Sequence, residues 1–162
     1  MLRTTFACLA AAAAAALVAP GQASAATAPP TPAPAACASV GGVAVGPLTL
    51  TPPEVRPGQF STASLPLTDC GDTPQTVGVM SYGIWLSAAS TGIPAGCPAI
   101  DPLVRQVVLA PHQTVSTATT YLVPASCTAD VLRVTMQISG QDGTLLARRT
   151  ADLVIDQPTA VG

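Results

Sequence analysis

The residues of this chain that could do chemistry are few and thinly spread. It has one histidine, His112, one glutamate, Glu54, and no G-x-S-x-G motif that would expose a serine nucleophile. Acid–base catalysis needs a titratable group beside a nucleophile or a second carboxylate, and several of the aspartates stand next to glycine or proline, where aspartate commonly forms turns. The stretch DCGD at 69–72 lacks the alternating oxygen ligands of a calcium loop. The sequence therefore predicts a protein that is not an enzyme, and it implies no cofactor and no metal.

The cysteines are the most regular reactive feature. One of the five, Cys8, lies in an apolar N-terminal run, and the other four are 27 to 33 residues apart with no C-x-x-C pair. A zinc site usually places two ligands within a few residues of each other, whereas an even number of separated cysteines in a small exported domain is typical of disulfides. We therefore expect two disulfides among four residues: Cys37, Cys70, Cys97 and Cys127.

The connection from 87 to 105, SAASTGIPAGCPAIDPLVR, is about twice as long as an ordinary hairpin connection. Long loops of this kind often carry function. Its centre is a candidate interaction loop made of five residues: Cys97, Pro98, Ala99, Ile100 and Asp101.

The N-terminal segment has the features of an export signal. Residues 1–25 contain Arg3, an apolar run at 6–18 and the small-residue sequence ASA at 23–25, which predicts a signal peptide cleaved after residue 25. The apolar run is shorter than the roughly 20 residues that span a bilayer. Residues 26–36 are rich in proline and alanine and read as a linker. We expect a secreted, extracellular protein with no membrane span after signal cleavage.

The charge of the chain restricts its partners. All six basic residues are arginines, and loss of Arg3 with the signal leaves five against eight acidic residues, a formal charge of −3. Nucleic-acid-binding domains present a basic patch, so we expect no nucleic acid. The partner expected is an extracellular protein or an envelope component. The bias toward alanine, proline and arginine is typical of a GC-rich bacterial genome such as that of an actinomycete.

The candidate loop must be held by β-strands, because the apolar residues alternate with period two. In ADVLRVTMQISG the inward parity holds Leu132, Val134, Met136 and Ile138, with Arg133 on the other face. Six further segments are also strand-like: VAVGPLTLT, QFSTASLPLTD, TVGVMSYGIWLSA, RQVVLA, QTVSTATTYLV and TLLARRTADLVI. Seven short strands with turn signals between them predict an all-β fold, an antiparallel seven-stranded immunoglobulin-like β-sandwich over residues 37–156, with a C-terminal tail at 157–162.

The order of these segments resembles a known family. LTLTPPEVRPGQFSTASLPLTDCGD, a strand ending in IWL, VVLAPHQTVSTATTYLV, LRVTMQI and TADLVI together resemble immunoglobulin-like modules of the CARDB and bacterial Ig type over roughly residues 45–156. This chain has Asp69 where those modules usually have asparagine, and His112 where their second corner usually has glycine. The resemblance implies a non-enzymatic binding or structural module of the cell envelope or extracellular space.

Three positions carry further expectations. Trp85 occupies the place where Ig-type cores often hold a tryptophan, and the alternative is an exposed ring for ligand stacking. Pro66 cannot donate to a ladder, so its strand is expected at a sheet edge or with a bulge at that point. Arg149 falls on an apolar parity and predicts a bulge or an edge there.

A second resemblance gives the alternative function. GCPAIDP is similar to the reactive loop of the Streptomyces subtilisin inhibitor family, although the stretch between Cys-Pro and Asp-Pro is one residue shorter here. It implies a secreted serine-protease inhibitor that uses the loop from Ala95 to Pro102, with the scissile bond between Ala99 and Ile100.

The disulfide pairing follows from topology. If consecutive strands are antiparallel, Cys37 before the first strand and Cys70 after the second lie at one end of the sandwich. Cys97 after the third strand and Cys127 after the fifth lie at the other end. We therefore predict Cys37–Cys70 and Cys97–Cys127.

Overall fold

The computed structural model describes residues 37–89 and 91–158. The predicted signal peptide at 1–25, the linker at 26–36 and residues 159–162 of the tail lie outside this described part of the chain. Every structural statement below refers to the described residues.

Nine β-strands and no helix form in residues 37–89 and 91–158. The strands are β1 Val43–Val45, β2 Thr49–Thr51, β3 Glu54–Val55, β4 Phe60–Asp69, β5 Gln75–Leu86, β6 Leu103–Leu109, β7 Thr114–Leu122, β8 Val131–Ser139 and β9 Leu145–Ile155. The expected number of seven was wrong for two reasons. The first expected strand divides at Gly46 and Pro47 into β1 and β2, and the proline-rich corner contains β3, a strand defined by its parallel pairing with the distant β9.

The strands form two sheets. In the first, β4 is central, with β1 and β2 on one side and β7 on the other. The second sheet has the order β3-β9-β8-β5-β6. All pairs are antiparallel except β3 with β9.

The inward residues of both sheets belong to one hydrophobic core. Leu65 and Leu67 of β4 are fully buried in the same cluster as Val134 and Met136 of β8. The four core residues predicted on β8, Leu132, Val134, Met136 and Ile138, are all fully buried, which confirms that the alternation identified the inward face. Burial of an aliphatic side chain of this size contributes about 1.5–3 kcal/mol relative to exposure.

Pro66 does not lie on an edge strand, so the edge alternative was wrong, and its strand pairs with β7 in unbroken register. Strand β4 pairs with β7 along nearly its whole length and with β1 and β2 on its other side. Pro66 lies opposite the gap between those two short strands, where its carbonyl accepts a hydrogen bond from Gly46 N at 2.9 Å. The missing N–H of proline is tolerated because the ladder is already interrupted at this point.

Arg149 is held at the end of the core by carbonyl groups of the other sheet. Its Nη2 donates to Val45 O at 2.8 Å and its Nε to Gly46 O at 3.1 Å. The register shift in the β8–β9 pair falls nearby, between Ile138 and Ser139. Since β3 covers only the last two residues of β9, the strand has no outer neighbour at Arg149, as expected for a charged residue on this parity.

Candidate functional site

Both predicted cysteine pairs lie within disulfide distance. Cys37 and Cys70 join the segment before β1 to the end of β4, with Cα atoms 5.8 Å apart. Cys97 and Cys127 have Cα atoms 4.5 Å apart and join the long 87–105 connection to the segment before β8. The second pair fixes Cys97, the first residue of the candidate loop, to the body of the domain.

Backbone contacts reinforce this attachment. Ala95 O accepts hydrogen bonds from Thr128 N at 3.0 Å and from Thr128 Oγ1 at 3.2 Å. Gly96 O accepts one from Ser126 Oγ at 3.4 Å. Residues 95–97 therefore lie alongside residues 126–128, and hydrogen bonds on this side add to the Cys97–Cys127 pair.

Trp85 connects the same loop to β5. Its side chain is buried, with 6% of the residue exposed, so it is a core tryptophan and not an exposed stacking ring. The indole Nε1 donates to Pro98 O at 2.7 Å. A buried indole N–H needs a partner, and here the partner is the backbone of the candidate loop.

Ile100 packs inward next to this hydrogen bond. Its side chain is half-buried against the hydrophobic core, and its Cδ1 would lie 2.9 Å from a Cβ atom at Gly83. Ala99 and Asp101 on either side are exposed. The loop thus lies against β5, and Ile100 points into the protein while its two neighbours remain exposed.

An open apolar pocket of about 660 Å³ lies between this loop and β5. None of its described lining residues is charged. The apolar side chains that line it are Ile84, Trp85, Leu86, Ile93, Ala99 and Ile100. Of the candidate loop residues, the structure brings Ala99 and Ile100 to the pocket and leaves Asp101 outside its lining.

Sequence reasoning missed Ile84 and Leu86 as pocket residues. Both lie on the outward parity of β5, where a half-buried strand usually carries polar side chains. Apolar residues on the solvent parity were the signal that would have found this site. Ile93 carried no comparable signal, because its place depends on how the loop folds back.

Among the described residues, the single histidine pairs with one carboxylate. His112 Nε2 lies 3.0 Å from Asp72 Oδ1, and both side chains are largely solvent-exposed. His112 has a φ of 58°, so it occupies the left-handed corner position where the resembling modules usually have glycine. No cluster of three possible metal ligands occurs in the part of the chain that the structure describes.

Arg133 forms an ion pair with Asp152 that the alternation of apolar and polar residues along β8 could not predict. Its Nε and Nη2 donate to the two carboxylate oxygens of Asp152, each at 2.8 Å, across the β8–β9 register. This hydrogen bond, with the charge of Arg133, holds the pKa of Asp152 below its usual range.

A cluster of polar side chains lies between the two sheets near strands β6 and β7. Ser81 Oγ and Thr119 Oγ1 are 3.1 Å apart, and Arg105 donates to Thr119 Oγ1 and, at 2.7 Å, to Ala118 O. The Tyr121 hydroxyl is buried and makes no hydrogen bond with any described residue. Burial raises the pKa of Tyr121, while the neighbouring Ser81 hydroxyl and the charge of Arg105 offset part of that effect.

No described helix is long and apolar enough to cross a membrane.

Comparison with known proteins finds likeness in fold only. No protein-family model and no curated protein matches the chain. Among solved structures, the alkylpurine DNA glycosylase AlkC of Pseudomonas fluorescens, bound to DNA with an abasic-site analog, matches 70% of this chain at 15% identity and a TM-score of 0.51. This chain spans 30% of that enzyme, and a likeness at such identity shows the fold alone.

The structural neighbours also include two smaller domains. A CARDB domain from Pyrococcus furiosus is matched over 70% of this chain and 94% of its own length, with 12% identity and a TM-score of 0.48. A PapD-like domain of human CEP192 is matched over 86% of this chain and 99% of its own length, with 13% identity and a TM-score of 0.42.

Proposed function

We propose that this protein is a secreted, non-enzymatic immunoglobulin-like β-sandwich that binds an apolar group of an extracellular protein or envelope component. The observation that carries the proposal is the uncharged pocket between β5 and the anchored 95–101 loop. The hydrophobic core shared by both sheets supports the sandwich, and the two cysteine pairs support an oxidising, extracellular location.

The pocket is suited to binding because the part of its loop wall that contains Ala99 and Ile100 is fixed in advance. The Cys97–Cys127 pair, the Trp85–Pro98 hydrogen bond and the Thr128–Ala95 hydrogen bonds each attach the loop to a different part of the domain. Ordering a loop on binding costs free energy, and a loop that is already ordered avoids this cost. Ligand pockets are typically concave, mostly apolar and largely preformed, with volumes of roughly 300–1,000 Å³.

The lining chemistry defines the class of group that fits. Ile84 and Ile93 are both more than half exposed at the pocket, and removing their surface from water is favourable. A charged ligand group would lose its hydration without gaining an ionic partner from the described lining. The ligand group is therefore neutral and apolar, an aliphatic or aromatic substituent of the partner.

The alternative function, serine-protease inhibition through Ala95 to Pro102, has one supporting feature and two opposing ones. The Cys97–Cys127 pair next to the Ala99–Ile100 bond supplies the rigidity that an inhibitory loop needs. However, Ile100 packs against the core and Pro98 O is engaged by the indole of Trp85. A protease that must contact both sides of this bond would have to displace these contacts, which favours the binding module.

The first test uses Trp85 as a reporter, because it is the single tryptophan of the chain. Titration with N-phenylnaphthylamine, a neutral apolar fluorophore, is expected to quench Trp85 emission by energy transfer and to saturate. Ile84→Ser should weaken this binding at least fivefold, in line with about 0.8 kcal/mol for each buried methylene. Leu145→Ser is the matched control, since Ile84 and Leu145 are 53% and 51% exposed on strands of the same sheet and Leu145 is not at the pocket.

Equal weakening by both serine variants would contradict the assignment of the site, as would failure of the fluorophore to bind. The second test measures residual subtilisin activity in the presence of the wild type and Ala99→Gly. We expect no inhibition at micromolar concentration by either. Tight inhibition by the wild type that is lost in Ala99→Gly would replace the binding module with the inhibitor.

A further inference from the structure

The two sheets have four edges, and three of them are blocked. An open edge strand presents unpaired N–H and C=O groups to any other strand, and proteins commonly protect such edges with short strands, proline or charged side chains. The edge formed by β1 and β2 consists of two three-residue strands separated by Pro47. The third edge consists of β3, a two-residue strand that lies between Pro53 and Pro57, and of residues 145–153 of β9, which β3 does not cover. That open part of β9 is protected by two adjacent charged side chains, Arg148 and Arg149.

The β7 edge is blocked by a side chain. Arg105 extends from β6 and donates from Nη1 to Ala118 O at 2.7 Å, in the middle of β7. Its Nη2 contacts Thr119 Oγ1 of the same strand. A guanidinium seated on the strand backbone at this point obstructs an incoming strand.

Strand β6 has none of these protections within its own seven residues, although Pro102 precedes it and Pro111 follows it. It pairs with β5 in unbroken register from Leu103 to Leu109, without proline or bulge, and no other described strand pairs with it. Its single charged side chain, Arg105, is directed to β7. Val104 and Val108 on its outer face are among the most exposed apolar residues of the described chain.

We propose that β6 pairs antiparallel with the β6 strand of a second copy of this chain, around a two-fold axis at Gln106. In this register Val104 lies opposite Val108 of the second copy, Gln106 lies opposite itself, and Arg105 lies opposite Val107. The two five-stranded sheets then become one continuous sheet, and the open backbone groups of both edges are satisfied reciprocally.

A second copy fits this edge because LVRQVVL is nearly symmetric around Gln106. Leucine stands at both ends, and valine stands two residues to either side of the centre. Two cross-strand Val104–Val108 pairs form, each worth about 0.2–1 kcal/mol in a sheet. No like charges meet, since Arg105 has valine as its opposite residue.

The linker of the same chain is a poorer occupant. Residues 26–36 contain four prolines, which have no N–H to donate to a ladder. The inference does not depend on the pocket, because none of β6 lines it, so the dimer and the binding function can fail separately.

The test is sedimentation equilibrium of the chain expressed from its full-length gene, from about 10 µM to about 1 mM. This range is chosen because an interface made by one seven-residue strand of each copy is small and therefore weak. We expect a reversible monomer–dimer equilibrium. Val104→Lys should raise the dissociation constant at least tenfold, because the substitution places two lysines at the joined edge. Val154→Lys, which changes an exposed valine on β9, near the opposite edge of the same sheet, should leave the dissociation constant unchanged.

A covalent test fixes the register. Gln106→Cys should form an intermolecular disulfide under mild oxidation many times faster than Ser116→Cys, a matched exposed position on the blocked edge strand β7. A monomer at every concentration, association that persists in Val104→Lys, or equal cross-linking of the two cysteine variants would overturn the proposal.

Discussion

Replacing Gly96 by alanine places a methyl group where the backbone of Ser126 already lies. Gly96 has a φ of +70°, and a Cβ atom built on it would lie 2.5 Å from the carbonyl carbon of Ser126 and closer still to its oxygen. Neither atom belongs to a flexible side chain, so the two segments joined by the Cys97–Cys127 pair would have to separate. The substitution therefore tests whether the candidate loop is attached as the structure describes.

The magnitude has two parts. A non-glycine residue in the left-handed region costs about 1–2 kcal/mol. Overlap with a fixed backbone adds about 1–3 kcal/mol, the usual cost of overpacking a site. Gly143 provides the control, because its φ is +82° and nothing lies within 4 Å of the added Cβ. Gly143→Ala should therefore show only the first part, and Gly96→Ala about 1–3 kcal/mol more.

The assay is urea unfolding followed by Trp85 emission, with the disulfides intact, for the wild type and both variants. Fluorophore binding is measured on the same samples, since Gly96→Ala displaces the loop wall of the pocket and should weaken it, whereas Gly143→Ala should not. Equal destabilisation by the two substitutions, with unchanged binding, would refute the packing of residues 95–97 against 126–128.

Three further predictions concern the core, the buried phenol and export. Val134→Asp should unfold the domain, because it places an unpaired charge in the core. Arg133→Ala, at an exposed position, should barely move the urea midpoint. A larger loss of stability for Arg133→Ala than for Val134→Asp would mean that the two faces of β8 are exchanged. The raised pKa of Tyr121 gives a contribution to stability that is complete below its ordinary value of 10.0 and is lost as the pH rises above it. Tyr121→Phe should remove that alkaline loss in unfolding curves and leave stability at pH 7 equal or higher, since the hydroxyl has no hydrogen-bond partner among the described residues. Mass spectrometry of the exported protein should show that it begins at Ala26, and retention of the first 25 residues would contradict signal cleavage.

The sequence predicted local features of the fold well and nonlocal ones poorly. The buried face from Leu132 to Ile138 follows from period two within one strand, which needs no knowledge of partners. Strand β3 has two residues and exists through its pairing with β9, about 100 residues away, so no local pattern could reveal it. The rule applied to Pro66 was sound, but the interruption that accommodates it is a gap between two neighbouring strands and not the edge of a sheet.

The candidate site, like the fold, was predicted only where its features are local in sequence. The length of the 87–105 connection and the position of Cys97 identified the loop, and two of its five chosen residues, Ala99 and Ile100, line the pocket. The other wall comes from the outward face of β5, where Ile84 and Leu86 are apolar residues on the solvent parity, but the way the loop folds back toward them is nonlocal. The cysteine pairs followed from the alternation of strand directions, which the two additional short strands do not disturb.

The most direct test of the proposed binding function is a methyl NMR titration of the isoleucine-labelled protein with N-phenylnaphthylamine. The chain has five isoleucines: Ile84, Ile93 and Ile100 line the pocket, and Ile138 and Ile155 are buried in the core. We predict saturable shifts of the first three methyl signals while the two core signals move little. Shifts confined to the core pair, equal shifts of all five, or no shift at saturating fluorophore would contradict the assignment of this pocket as a binding site.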